Sequence, residues 1–275
     1  MLSCIHYLAT PFSRGFNCND VTIRYPYKDS TVSSGVCYLV GSGVNILLIL
    51  TIEYFNLVTS CKNREGGNDQ FQVKVYLRNV YCRCLVWFFG AITSELITDI
   101  TKVSVGRLRP HFLNVCEPII VAGNSEIKLD DYCRQASNPY AYVTNFYCSG
   151  DPSKQRDARL SFLSGHSSYS AYSATFAVLY IQSSLDISIF GLIKPIIQVL
   201  IISLAYYTGL SRVSDYKHHW QDVLAGFLLG TTIASIVSAS LLPSFQKACT
   251  KFMRGSFERV DRPGQSGEEL NQLSY

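Results

Sequence analysis

The chain has 275 residues, 48% of them hydrophobic and 16% charged, with a formal net charge of +4. The charged fraction falls below the ~25% usual for soluble globular domains. The small net charge, with no Lys/Arg-rich tract interleaved with aromatics, argues against nucleic acid as a partner.

The apolar segment Leu2–Ala9 is too short for a secretory signal and lacks a basic flank. The first membrane span is therefore expected to act as its own insertion signal. Pro11–Ser34 is polar, aromatic and turn-rich, which suits an ordered segment ahead of that span. Five apolar stretches then approach the ~20 residues that cross a bilayer as a helix: Val36–Val58, Cys82–Thr101, Ser167–Ser183, Leu192–Leu210 and Val223–Leu242. Ser, Tyr and Thr dilute the third and fourth. A soluble helical protein is the competing reading, but five such runs over-supply a single soluble core.

Basic residues set the expected orientation. Lys62, Arg64, Lys74, Arg78 and Arg83 between the first two spans outnumber Arg14, Arg24 and Lys28 before the first. That excess puts the 62–83 loop in the cytosol and the N-terminus outside. Five crossings then return the basic tail to the cytosol. The expected architecture is all-α: a polytopic membrane helical bundle with an outer N-terminal segment (1–35), a membrane domain (36–242) bearing an outer loop over 102–165, and a disordered cytosolic tail (243–275). Cys4, Cys18, Cys116, Cys133 and Cys148 would face an oxidising space, and a disulfide among the last three is expected. Cys61, Cys82, Cys84 and Cys249 are expected as free thiols.

Three polar blocks lie at span ends: Lys102–Pro110, Leu163–Ser168 and Ser211–Asp222. With alternating crossings all three reach the same face, so they can share one pocket. In the first, Lys102 and Arg109 fall on one side of a continuing helix, which Pro110 would stop. Two such cations suit the non-bridging oxygens of a phosphate, whereas interfacial snorkelling is the plainer reading. Arg107 lies off that register and reads as structural. Glu95 and Asp99, one turn apart, read as pairing with neighbours or Lys102.

In the second block Ser164 can cap the following helix and donate a hydroxyl, while Gly165 lets backbone approach an anion at the helix N-terminus. His166 can hand a proton to a leaving alkoxide. An ordinary N-cap beside an incidental histidine is the alternative. In the third block, His218 and Asp222 are spaced i,i+4, and a carboxylate there can orient the imidazole for attack. Arg212 would add a third phosphate-binding cation. His219 lacks that carboxylate and is assigned to structure. Tyr216 and Trp220 also fit an interfacial aromatic belt.

Taken together, K-x6-R-P, S-G-H and S-R-x5-H-x3-D resemble the three-part signature of the type 2 phosphatidic acid phosphatase superfamily, in its animal lipid phosphate phosphatase branch. RGFNCNDVTIRYPY, GRLRPHFLNVC, SFLSGHSSYSAY and HHWQDVLAG support the resemblance, which runs from about Pro11 to Leu242. Leu163 stands where many superfamily members have Pro. The resemblance implies a metal-independent phosphomonoesterase working through a phosphohistidine. His218 would be the nucleophile and Asp222 its orienting partner. His166 would protonate the leaving group and later activate water. Lys102, Arg109, Ser164, Gly165 and Arg212 would cradle the phosphate.

Family substrates are phosphatidate, lysophosphatidate, sphingosine 1-phosphate and ceramide 1-phosphate. A plasma-membrane location is expected, with the active site outside or luminal and self-association left open. Family members have six spans, the first of which is absent here, so an alternative start or an incomplete gene model is expected. Two other functions compete: a catalytically silent binder or transporter of lipid phosphates, which the intact His166, His218 and Asp222 disfavour, and a vanadate-dependent oxidase, which a lipid-facing site disfavours.

Overall fold

A computed structural model describes residues 9–62, 69–123, 125–135, 140–185 and 191–241. The tail expected over 243–275 lies outside the described residues. Five long helices form the bundle: α1 (Ser34–Lys62), α2 (Asp69–Val105), α3 (Gly165–Ser184), α4 (Ile193–Ser214) and α5 (Trp220–Ile236). The last runs into a short π-helical turn at Val237–Leu241.

Four of these helices are long and apolar enough to cross a bilayer, over Ser34–Thr59, Gln72–Val105, Ile193–Ser214 and Trp220–Leu241. Their outward faces expose Leu39, Leu47, Phe89, Leu200 and Leu228. Water would not tolerate so much apolar surface, whereas hydrocarbon covers it at no cost. The chain is an integral membrane protein.

Helix α3 differs, and the Ser and Tyr that dilute it show why. It is the central helix, packed against α1, α2, α4 and α5, so its polar groups meet neighbouring helices rather than lipid. The Tyr172 hydroxyl donates to the Trp87 carbonyl at 2.7 Å. Ser168 and Thr98 hydroxyls lie 2.9 Å apart, and Tyr180 donates to Glu53 at 2.8 Å. Buried Glu53 also takes the Arg83 Nε–H at 3.2 Å and the Asn79 amide at 3.2 Å, clasping α1, α2 and α3 at the end opposite the three polar blocks. Hydrogen bonds of this kind hold helices together where no hydrophobic gradient separates protein from solvent.

Small residues do the rest. Gly226 and Gly230 on α5 form a G-x-x-x-G face against α3, and a Cβ at either would run into the Ser164 or Ser168 carbonyl oxygen. The two backbones can therefore approach closely, which brings the start of α5 against the start of α3.

The 102–165 connection is an ordered head rather than a loose loop. Strands β2 (Pro118–Ala122), β3 (Ser125–Lys128) and β5 (Phe146–Cys148) form an antiparallel sheet in the order β3-β2-β5, and β1 (Phe16–Asn17) pairs with β4 (Tyr142–Val143). Phe16, Phe112 and Phe146 make its core. Disulfides Cys116–Cys148 and Cys18–Cys133 fasten it. The expected pair within the loop is present, while Cys133 instead binds the N-terminal segment. Cys82 is also disulfide-bonded, contrary to the expected free thiol; Cys84 is free.

Candidate active site

Helix α2 carries Lys102 to its last turn and then stops. Gly106 adopts a left-handed φ of 56° and its N–H returns to the Lys102 carbonyl at 3.1 Å, an ending that glycine favours. The expected helix through Arg109 is therefore corrected: glycine, not Pro110, ends it. Arg109 reaches the site from the loop beyond, fixed by its N–H to the Ala158 carbonyl at 2.9 Å and by Nη2 to Asp157 Oδ1 at 2.6 Å.

The third block is likewise not one helix. Helix α4 ends at Ser214 and α5 begins at Trp220, so His218 occupies the turn between them. Asp222 sits in the first turn of α5, where Oδ2 accepts the N–H of the N-cap residue His219 at 3.0 Å. His218 Nδ1 stands 3.9 Å from Asp222 Oδ2, too far for a hydrogen bond. It donates instead to the Ser161 carbonyl at 2.7 Å. The Ser161 hydroxyl in turn donates to Asp222 Oδ2 at 2.6 Å, and Arg107 Nη1 donates to Asp222 Oδ1 at 2.6 Å. The direct orienting contact expected of Asp222 is thus replaced by a relay through Ser161, which no sequence spacing announces. Arg107, set aside on a helical register that ends at Val105, instead braces that carboxylate.

A cavity of about 560 Å³ opens among these segments. Of the residues assigned to the site from sequence, Lys102, Arg109, Gly165, His166, Arg212 and His218 line it. Ser164 and Asp222 are fully buried and do not line it. Ser164 is the N-cap of α3, its hydroxyl oxygen accepting from the Ser167 N–H at 3.4 Å and the Ser167 hydroxyl at 2.9 Å. His219 is turned away, its Nε2 bonded to the Leu108 carbonyl at 3.1 Å.

His166 is held by the Val32 backbone, and its Nε2 is buried with no hydrogen-bond partner among the described residues. Both cavity imidazoles are thus anchored to backbone on one side, leaving Nε2 for chemistry. Burial drives the His218 pKa well below 6.5, and Arg109, Arg212 and Lys102 push it the same way. The ring is therefore neutral at pH 7, with a lone pair to offer.

Sequence reasoning missed several members of this cavity. Lys217 lines it as a fourth cation, its pKa lowered to about 8 by burial and then by Arg109; it keeps its proton at neutral pH. Its ammonium lies 3.6 Å from the ring centroid of Tyr27. The 28–32 segment forms a strap across the site. Thr31 donates to Asp215 through N at 2.7 Å and Oγ1 at 2.8 Å, while Arg212 donates to the Val32 carbonyl at 3.1 Å and the Ser30 hydroxyl at 3.3 Å. The adjacency of Lys217 to His218 could have flagged it; nothing in the spacing pointed to Ser161, Asp157 or the strap. Among the described residues no three His, Cys, Asp or Glu side chains gather into a metal-binding set.

Residues 84–245 match the PAP2 superfamily. Phospholipid phosphatase 1 of Rattus norvegicus is 39% identical over 232 residues, covering 83% of this chain and 75% of that protein. Phospholipid phosphatase 2 of Homo sapiens is 37% identical over 227 residues, covering 82% and 72%. A Drosophila melanogaster protein named as a candidate phosphatidate phosphatase is 37% identical over 254 residues, 89% of this chain, and the chain spans 65% of that protein's length. No solved structure matches the chain. The three blocks converge in one cavity, and the family match over 84–245 takes in all of them: the chain belongs to the PAP2 superfamily, in its phospholipid phosphatase branch of phosphoric monoester hydrolases.

Proposed function

We propose that this membrane protein is a lipid phosphate phosphatase. It would hydrolyse the phosphomonoester of phosphatidate, lysophosphatidate, sphingosine 1-phosphate and ceramide 1-phosphate through a phosphohistidine, without a metal. The reading rests on one observation: two backbone-anchored imidazoles share a cavity with Lys102, Arg109 and Arg212.

In the first step the Nε2 lone pair of His218 attacks phosphorus, and the bond from phosphorus to the lipid oxygen breaks. His166, its pKa lowered to about 3 by burial and then by Arg212 and Lys102, takes up a proton as the phosphate dianion offsets those cations and gives its Nε2 proton to that oxygen, releasing the lipid alcohol. Lys102, Arg109 and Arg212, with the Gly165 amide at the α3 N-terminus, balance charge on the equatorial oxygens. Lys217 adds to this charge. In the second step neutral His166 takes a proton from water, whose oxygen attacks phosphorus while the P–N bond breaks. Phosphate leaves and both imidazoles are restored. Asp222 supports the positive charge that develops on His218, acting through Ser161. Ser164 contributes by fixing the α3 terminus. We place the cavity on the outer or luminal face, following the charge asymmetry of the loops; the plasma membrane is the location expected from the family resemblance.

Phosphate release from short-chain phosphatidate in detergent tests this reading. Orthovanadate, which mimics five-coordinate phosphorus, inhibits, and EDTA leaves the rate unchanged. A requirement for added Mg²⁺ would overturn the mechanism.

The pH profile offers a second check. His218 reacts as the free base, and its pKa lies well below 6.5, so protonation removes activity only in more acid solution. The acid limb of kcat/KM assigned to His218 falls below the ordinary ~6.5. Arg109→Gln removes a neighbouring positive charge, which makes the imidazolium easier to form and moves that limb to higher pH. A wild-type limb at or above 6.5 would contradict the assignment.

A further inference from the structure

Glu95, Asp99 and Lys102 recur at i, i+4 and i+7 on α2 and so share a face; all three line the catalytic cavity. Asp99 and Glu95 lie roughly 5 and 10 Å deeper along the helix axis than Lys102. Asp99 Oδ1 stands 3.6 Å from Lys102 Nζ. Glu95 makes no ion pair among the described residues. Its Oε2 accepts from the Tyr38 hydroxyl at 3.0 Å, and its Oε1 is buried without a hydrogen-bond partner among those residues. A cavity that had only to seat a phosphate dianion gains nothing from a carboxylate in its wall, because like charges repel. The acceptor calls for a donor.

The neighbouring surface says what kind of molecule carries that donor. Tyr38 lines the cavity, and the preceding residue, Cys37, lines an apolar groove of about 260 Å³ shared with Val36, Val40, Ile201 and Leu204. Cations, then the unpaired Glu95 acceptor, then hydrocarbon-like walls complement in order the phosphate, hydrogen-bond donor and tail of a phosphorylated amphiphile. We propose that Glu95, steadied by Tyr38, is a specificity-determining residue that accepts from an ammonium beside the phosphate ester, so that sphingoid-base 1-phosphates are preferred over lipid phosphates with no donor there. This rests on the phosphatase reading and ranks the substrates within it. A hydroxyl at the same position, as in lysophosphatidate, engages Glu95 less strongly because it is uncharged.

The test uses the purified full chain in detergent micelles and two C18 substrates, sphinganine 1-phosphate and octadecyl phosphate, which differ in the amino and hydroxyl groups. The ratio of their kcat/KM values is expected to favour the sphingoid phosphate by about tenfold or more, the effect of a charge-assisted hydrogen bond in a closed site. Glu95→Gln brings the ratio close to one, and Tyr38→Phe narrows it. A wild-type ratio near one, or a ratio unmoved by Glu95→Gln, overturns the proposal. If Glu95→Gln does not fold, the wild-type ratio and Tyr38→Phe decide it. Binding of the matched non-hydrolysable phosphonates gives the same comparison without turnover. Preferential binding with no phosphate release from either ester would sink the phosphatase reading and keep the Glu95 assignment. Indifferent binding would sink the assignment alone.

Discussion

His218→Ala abolishes phosphate release, lowering kcat by a factor of about 10³ or more, while His219→Ala retains most of the wild-type rate. The two histidines are adjacent, so composition cannot separate them, but their surroundings do. His218 Nδ1 is fixed to the Ser161 carbonyl at 2.7 Å and the ring lines the cavity beside four cations. His219 caps α5 and is tied through Nε2 to the Leu108 carbonyl at 3.1 Å, outside the cavity. Its loss costs thermal stability rather than chemistry. Trapping with ³²P-labelled short-chain substrate at low temperature checks the same point independently: wild type retains acid-labile label and His218→Ala retains none. Equal loss of activity in both variants would remove the basis for choosing between them.

Asp222→Asn is expected to cost roughly 10²-fold in kcat, with a smaller change in KM. The carboxylate is fully buried and receives donors from Arg107 at 2.6 Å, the Ser161 hydroxyl at 2.6 Å and the His219 N–H at 3.0 Å. An amide cannot accept from all three and leaves Arg107 without its counter-charge, so the melting temperature falls as well. Ser161→Ala distinguishes relay from direct contact. It keeps the backbone carbonyl that holds His218 but deletes the hydroxyl linking it to Asp222, and a loss of about tenfold in kcat is expected. A silent Ser161→Ala beside a damaging Asp222→Asn would mean that the carboxylate acts on the imidazole across the 3.9 Å gap without the serine.

Much of the architecture was legible because bilayer thickness imposes a length on every crossing helix, and alternation then fixes which ends meet. That logic brought Lys102, Arg109, His166, Arg212 and His218 to one cavity from segments over a hundred residues apart. Spacing rules worked less well where helices end. Gly106 stops α2 before Arg109, and the turn after Ser214 breaks the i,i+4 relation of His218 to Asp222. Periodicity assumes a continuous helix, so it cannot report on a side chain delivered by a loop. Ser161 was invisible for a further reason: its decisive contact is a carbonyl oxygen, which every residue possesses. The head's small sheets and the Cys18–Cys133 bridge depend on long-range pairing that one sequence does not specify. The close approach of α5 to α3 could have been anticipated from Gly226 and Gly230.

The strap has a consequence for biogenesis. Thr31 and Asp215 are separated by 184 positions, so the Thr31 bonds of the strap must wait until α4 has been threaded and its end exposed. On the proposed mechanism the site is therefore completed late, once the head-side ends of the first and fourth helices are stitched together and α5 has brought in Asp222. A nascent chain halted before that point carries Lys102 and His166 but neither Arg212 nor His218.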